Sequence, residues 1–317
     1  MMSDSGALRE SMNARGVYVF VMTPMKTALN RQGKYRIDPV GLEKNARYFS
    51  GIKGRKTLVI CGGSGEFYAL SPSEVRDLAA AAVSGARGRC QIVCGIGWST
   101  KISVTMAENA QEAGCDALLV MPHDPVVARG EAAIWRHHRT IAKAVDIGII
   151  PFRAPRQLLS IDLVKRFSGL GKVVAIKEES NAVDWVRTGC IATGNAVPII
   201  TGGGENMAPY YYLAGARGFT TGMANLTLPM SIDMHNACIR RRWNAAMDLR
   251  DFFEPLAALR GELGTPMLKA GLELMGLAGG PMRDAQQAQP TGTPSRDMLP
   301  ARDRARVRNL LKKTGVL

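Results

Sequence analysis

The feature that most constrains this chain is a repeated couplet, a short β-branched apolar run followed by a helical pattern. It recurs at intervals of about 30 residues, the order expected of βα units closing a parallel barrel. Eight runs carry it: Val17 to Met22, Thr57 to Cys61, Gln91 to Gly95, Ala117 to Met121, Gly148 to Phe152, Val173 to Lys177, Pro198 to Thr201 and Gly218 to Thr221. Helix-start signals lie between them. Asp38-Pro39 opens one helix, Ser71-Pro72-Ser73-Glu74 opens another with proline in its first turn, and Ser99-Thr100 starts a third that ends near Gly114. The expectation is an α/β fold, a (β/α)8 TIM barrel over residues 16–227, preceded by a disordered lead-in at 1–15. Residues 228–317 read as a C-terminal helical extension. It comprises apolar-faced helices from Leu228 to Leu277, a Gly/Pro/Gln-rich loop at about 279–300 and a last basic helix, Ala301 to Lys313.

Composition narrows the class of partner. The net charge of +14 raises the question of nucleic acid, but much of the excess sits in Arg240-Arg241-Arg242 and in the tail from Arg302 to Lys313. These read as solvated basic faces, so no nucleic-acid partner is expected, while an anionic substrate gains from the positive field. No run approaches the roughly 18 apolar residues of a membrane span. The start has no apolar core of a secretory signal, and the six cysteines are scattered with no C-x-x-C pair, so neither a disulfide framework nor a zinc site is expected. A cytoplasmic location follows as the expectation.

In a barrel of this kind the functional face is the carboxyl end of the strands. After the second run comes Gly62-Gly63-Ser64-Gly65-Glu66, a turn whose free N–H groups suit a carboxylate, or simply a tight turn. The sixth run ends at Lys177, a nucleophile for carbonyl groups if it points into the mouth and an ordinary surface lysine if it does not. The fifth ends in Phe152-Arg153-Ala154-Pro155-Arg156, offering two guanidinium groups for a carboxylate. His123-Asp124 after the fourth is either a proton-transfer pair or a polar turn. Gly203 and Gly222 bring backbone near the mouth after the seventh and eighth.

Together these ends resemble the family of dihydrodipicolinate synthase and N-acetylneuraminate lyase. The resemblance rests on Gly62 to Glu66, on Ile176-Lys177-Glu178, on Gly95-Ile96-Gly97-Trp98-Ser99-Thr100 and on Ala113-Gly114-Cys115-Asp116-Ala117, in that family's order. The Gly-Gly-Ser-Gly-Glu-Phe spelling is most similar to the branch of 5-dehydro-4-deoxyglucarate dehydratase. The resemblance implies that Lys177 forms an imine with a small 2-keto acid, without metal or organic cofactor, in a homodimer or homotetramer. It implies a lyase: a sugar-acid dehydratase first, a pyruvate-dependent aldolase or synthase-like enzyme second, with a non-catalytic keto-acid binder as the reading from another class. Lys177, Ser64 and Asp124 are the expected catalytic residues. Gly62, Gly63, Glu66, Phe152, Arg153, Arg156, Gly203 and Gly222 are the expected substrate contacts. The chain departs from the family where Phe152 replaces a tyrosine over the imine and Asp124 replaces a second one, so another proton carrier is needed. Asp124, His123 and Ser64 with water are the candidates.

Overall fold

Short apolar strands buried on both faces need partners on both edges, and closure into a barrel supplies them. The structure, a computed structural model, describes residues 8–10, 12, 14–283 and 297–317. Strand β1 (Gly16–Phe20) is followed by a hairpin of β2 (Met25–Leu29) and β3 (Tyr35–Ile37), then by β4 (Lys56–Ile60), β5 (Gln91–Ile96), β6 (Ala117–Val120), β7 (Gly148–Arg153), β8 (Ile176–Glu178), β9 (Ile199–Thr201) and β10 (Gly218–Thr221). The barrel closes in the order β1-β10-β9-β8-β7-β6-β5-β4, all parallel, and the hairpin stands outside it. All eight expected strands are present, and the chain is a (β/α)8 TIM barrel with a C-terminal helical part.

Two of the three expected helix starts hold by capping, while the helix Pro39–Gly51 opens on its proline with no side-chain cap from Asp38. Ser71 caps the helix Pro72–Ala86 through a capping box with Glu74, and Ser99 caps Thr100–Glu112 by accepting from Ile102 N–H. Hairpin β2–β3 escapes a pattern search because four of the five residues of β2 are exposed.

One strand differs instructively. The sixth run was expected to pair from Val173, yet its regular ladder begins at Ile176. Ile149 bridges Val173 while Phe152 pairs with Lys177, so three steps along β7 face four along its neighbour. One extra residue is therefore accommodated between Val173 and Lys177. Such a bulge turns the strand locally and re-aims the side chain that follows it, here Lys177.

Of the segment expected to be a disordered lead-in, Met12 and Ala14 are buried, and Arg9 donates to the carbonyls of Val173, Ser168 and Leu170. Met12 supplies apolar bulk to the core, which a count of polar residues in the segment hides. Residues 1–7, 11 and 13, and the stretch 284–296 of the expected loop, lie outside the described residues. The expected boundary at 227/228 falls within the helix Ala224–Ile239. The next helix, Trp243–Leu263, leads over the barrel mouth, and the last helix, Ala301–Lys313, is tied back by Arg304–Glu273 and Arg306–Glu262 ion pairs. Among the described residues no helix is long and apolar enough to cross a membrane.

Candidate active site

Side chains alternate along a strand, so in β8 and its extension Lys177 and Glu179 share one face and Glu178 takes the other. Lys177 and Glu179 enter a cavity of about 540 Å³ at the carboxyl end of the barrel, walled also by Gly63, Ser64, Tyr68, Phe20 and Phe152. This volume suits a small ligand. The Lys177 side chain is only 3% exposed, and its Nζ lies 3.7 Å from the centre of the Phe152 ring and 4.4 Å from that of Phe20. Burial lowers the pKa of this amine from the usual lysine value, while the Glu179 carboxylate in direct contact with Nζ, and Glu178 beyond it, pull the other way.

Across the barrel, β4 stands opposite β8 in the ring of strands. Gly63 and Ser64 line the cavity there, and among the described residues their backbone N–H groups have no acceptor. Gly62 is not in the wall. A Cβ on it would lie 2.7 Å from the Phe20 ring, so its bareness seats the ring that faces Lys177. Gly203 and Gly222 line the opposite rim, and a Cβ on Gly222 would come within 2.9 Å of the Arg260 guanidinium. The guanidinium of Arg260, on the helix Trp243–Leu263, makes no hydrogen bond or ion pair among the described residues. Burial lowers its pKa, and the Glu205 and Glu179 carboxylates nearby oppose that.

Four more expected site residues, besides Gly62, are placed elsewhere. Glu66 is buried below the loop, where its carboxylate accepts from Lys269 Nζ at 2.5 Å and from the Arg283 N–H at 2.6 Å. It pins the C-terminal part to the β4 loop rather than meeting a substrate. Arg153 points the opposite way from Phe152, as alternation requires. It pairs with Glu178 at 2.6 Å, contacts the Ser180 hydroxyl and stacks on Trp185 at 4.3 Å, outside the barrel. Asp124 is 69% exposed at the rim, 3.6 Å from Arg156, and neither lines the cavity. Arg156 instead donates to the Tyr68 hydroxyl at 2.8 Å and touches the site through that ring. His123 lies edge-on to Trp98. Asp124 therefore has no geometry for moving a proton at Lys177.

The Arg153 guanidinium and the Glu178 carboxylate are buried together, and removing one member strands the other, at a cost of about 3–5 kcal/mol. Urea unfolding of Arg153→Met is expected to register that loss. A variant of unchanged stability with a raised KM would return Arg153 to the substrate.

Residues 15–299 match the model of the dihydrodipicolinate synthetase family. The chain belongs to that family. It is thus a lyase by membership. Among its relatives, probable 5-dehydro-4-deoxyglucarate dehydratases from Chelativorans sp. and Xanthobacter autotrophicus are 28% and 30% identical to it, each aligned over 71% of this chain and 77% of its own length. The dihydrodipicolinate synthase of Oceanobacillus iheyensis superposes with a TM-score of 0.81 at 26% identity, over 98% of this chain and 100% of that one.

Glu179, Arg260 and Tyr68 were not singled out from the sequence. Glu179 was within reach of the alternation rule, since residue 177+2 shares the face of Lys177. Arg260 and Tyr68 carry no local signal: one reaches the mouth from a helix more than 80 residues downstream of Lys177.

Proposed function

We propose that this lyase is a sugar-acid dehydratase that holds a 2-keto acid as an imine on Lys177. The observation that carries the reading is the buried Lys177 amine, its pKa lowered by desolvation, at the floor of a cavity facing free backbone N–H groups across the mouth. A keto acid would place its carboxylate on Gly63 and Ser64 and its carbonyl carbon at Nζ. The iminium formed there is an electron sink, and it acidifies the neighbouring carbon. The dehydratase names of the relatives support the finer reaction. No step needs a metal or organic cofactor, since the iminium itself withdraws the electrons.

The unpaired Arg260 adds a substrate feature. A glucarate-derived acid carries a second carboxylate at its far end, and a guanidinium fork at the rim is suited to it. Arg260→Met is expected to lower kcat/KM for a keto-dicarboxylic sugar acid by about 10²-fold, the scale of 1.5–3 kcal/mol for a hydrogen bond to a charged group. Pyruvate trapping should stay unchanged. Equal kcat/KM for the mono- and dicarboxylic acids in wild type and variant would remove Arg260 from the reading. Turnover of a sugar-acid panel, with water loss and carbon–carbon cleavage scored separately, tests the dehydratase against the aldolase. A chain that forms the adduct yet turns over none of them is the non-catalytic binder.

The same reading includes a homodimer or homotetramer. Leu213, Ile191 and Tyr210 expose apolar surface on neighbouring outer helices, which association would cover. Light scattering at micromolar concentration is expected to give a multiple of 34.2 kDa, and a monomer mass would end that part of the proposal.

A further inference from the structure

With phenylalanine where a phenol would stand, the imine cycle needs a group that accepts and returns protons beside Lys177 Nζ. We propose that the Glu179 carboxylate is that group, a catalytic acid–base residue. This role rests on the imine reading of Lys177.

The carboxylate is in direct contact with Lys177 Nζ, and both side chains line one cavity. Its seat is built. A Cβ on Gly202, at the end of β9, would fall 2.5 Å from the Glu179 Cγ, so only glycine there lets the side chain lie along the strand end. The Glu179 N–H donates to Arg153 O at 2.9 Å, which fixes the backbone that aims it. The Glu179 side chain is 46% exposed, open to the solvent with which a proton carrier must re-equilibrate.

The other carboxylates near the mouth, and the Tyr68 phenol, are engaged. Glu205 accepts from the Thr221 and Ser231 hydroxyls at 2.9 and 2.5 Å. Tyr68 accepts from Arg156 and donates toward Pro122 O at 3.3 Å. Glu178 faces Arg153 outside the barrel, and Asp124 sits at the rim. Ser64 lines the cavity with no base bonded to it among the described residues.

Glu179 takes the ammonium proton of Lys177, and the neutral amine adds to the keto carbon; the proton released from nitrogen and the one held by Glu179 allow the carbinolamine hydroxyl to leave as water. The Glu179 carboxylate then removes a proton from the carbon next to the iminium, and that C–H electron pair moves toward nitrogen to give the neutral enamine. When the enamine pushes electrons back, the bond to the β-hydroxyl breaks, and the protonated Glu179 delivers its proton to the departing oxygen as water. The carboxylate is restored, and no oxidant or reductant takes part.

Pyruvate isolates the proton step because it has no hydroxyl to expel. In D2O, wild type is expected to form the borohydride-trapped adduct and to exchange the pyruvate methyl hydrogens, followed by proton NMR. Glu179→Gln, close in size and half-exposed, is expected to form the same adduct to completion while exchange slows by about 10²-fold or more. Glu179→Asp should recover part of the rate, showing that the carboxylate and not the fold is at issue. Loss of the neighbouring negative charge also lowers the Lys177 pKa further, so the pH at which adduct formation becomes half-maximal should move down in Glu179→Gln. Adduct with wild-type exchange in Glu179→Gln would overturn the role while leaving the imine intact. A wild type that gives no adduct at all would overturn the imine reading and this role with it.

Discussion

Lys177→Ala is expected to abolish the pyruvate adduct and to cut turnover by roughly 10⁶-fold, the scale seen when a covalent nucleophile is deleted. The reason is that every later step draws on the iminium. Without the nitrogen no electron sink exists, and the carbon beside the carbonyl is not acidic enough for a carboxylate to deprotonate. The Lys177→Ala chain should stay folded, because the amine is buried against its own carboxylate partner and two rings, and the half-exposed Glu179 can turn to water. Rescue separates chemistry from packing. Lys177→Cys treated with bromoethylamine restores an amine at the same reach, with sulfur in place of the lysine γ-carbon, and some adduct should return. A full-size adduct in Lys177→Ala would place the imine on another lysine. The pH course has a definite sign: the free amine attacks, so adduct formation rises with pH, and because burial lowers the Lys177 pKa the midpoint of that rise should lie below the usual lysine value of about 10.4.

Much of the barrel was legible because the period of its repeat is a property of local chain chemistry. Short apolar runs such as Leu58–Ile60, recurring between helical patterns and buried on both faces, fit inner strands, and capping residues such as Ser71 and Ser99 act within one turn. The cavity wall was legible where position along or just after one strand decides it, as for Lys177 and for Gly63 and Ser64. Arg153 reads as a mouth residue by type, but alternation overrides type: with Phe152 facing Lys177, Arg153 must face out, and Glu178, one residue along from Lys177, meets it. Glu66 was misplaced for a different reason. Its partners Lys269 and Arg283 lie more than 200 residues away, and nothing local distinguishes a buried pair from a substrate contact. Arg260 is the same case in reverse. The bulge before Lys177 is equally invisible, since it depends on the register that β7 imposes.

Acidification from pH 6.5 toward about 4 is expected to destabilise the fold steeply. His137, His138 and His235 are all buried, and desolvation lowers their pKa values to about 3, about 4 and about 4. For His138 the bonding leaves little room: Nδ1 must donate to Ile134 O at 2.8 Å, and the buried Nε2 has no partner, so a proton there would be an unpaired charge against Phe167. The His137 ring stands 5.4 Å away, and two imidazolium rings at that distance would repel. The native chain therefore binds fewer protons than the unfolded one wherever the pH is below the ordinary histidine pKa and above the depressed values. Stability rises with pH in that window, is complete above about 6.5, and falls as pH drops. Two carboxyls run the other way, since burial raises the pKa of Asp116 and Glu205 and each takes up a proton in the folded state first. Three histidines against at most two carboxyls leave a slope of about 1.4 to 4 kcal/mol per pH unit. Urea unfolding at pH 7, 6 and 5 measures it, and His138→Leu should flatten it by about 1.4 kcal/mol per pH unit. A stability independent of pH across that range would mean that these rings are protonated in the folded chain, with partners for both nitrogens that the packing around Phe167 does not offer.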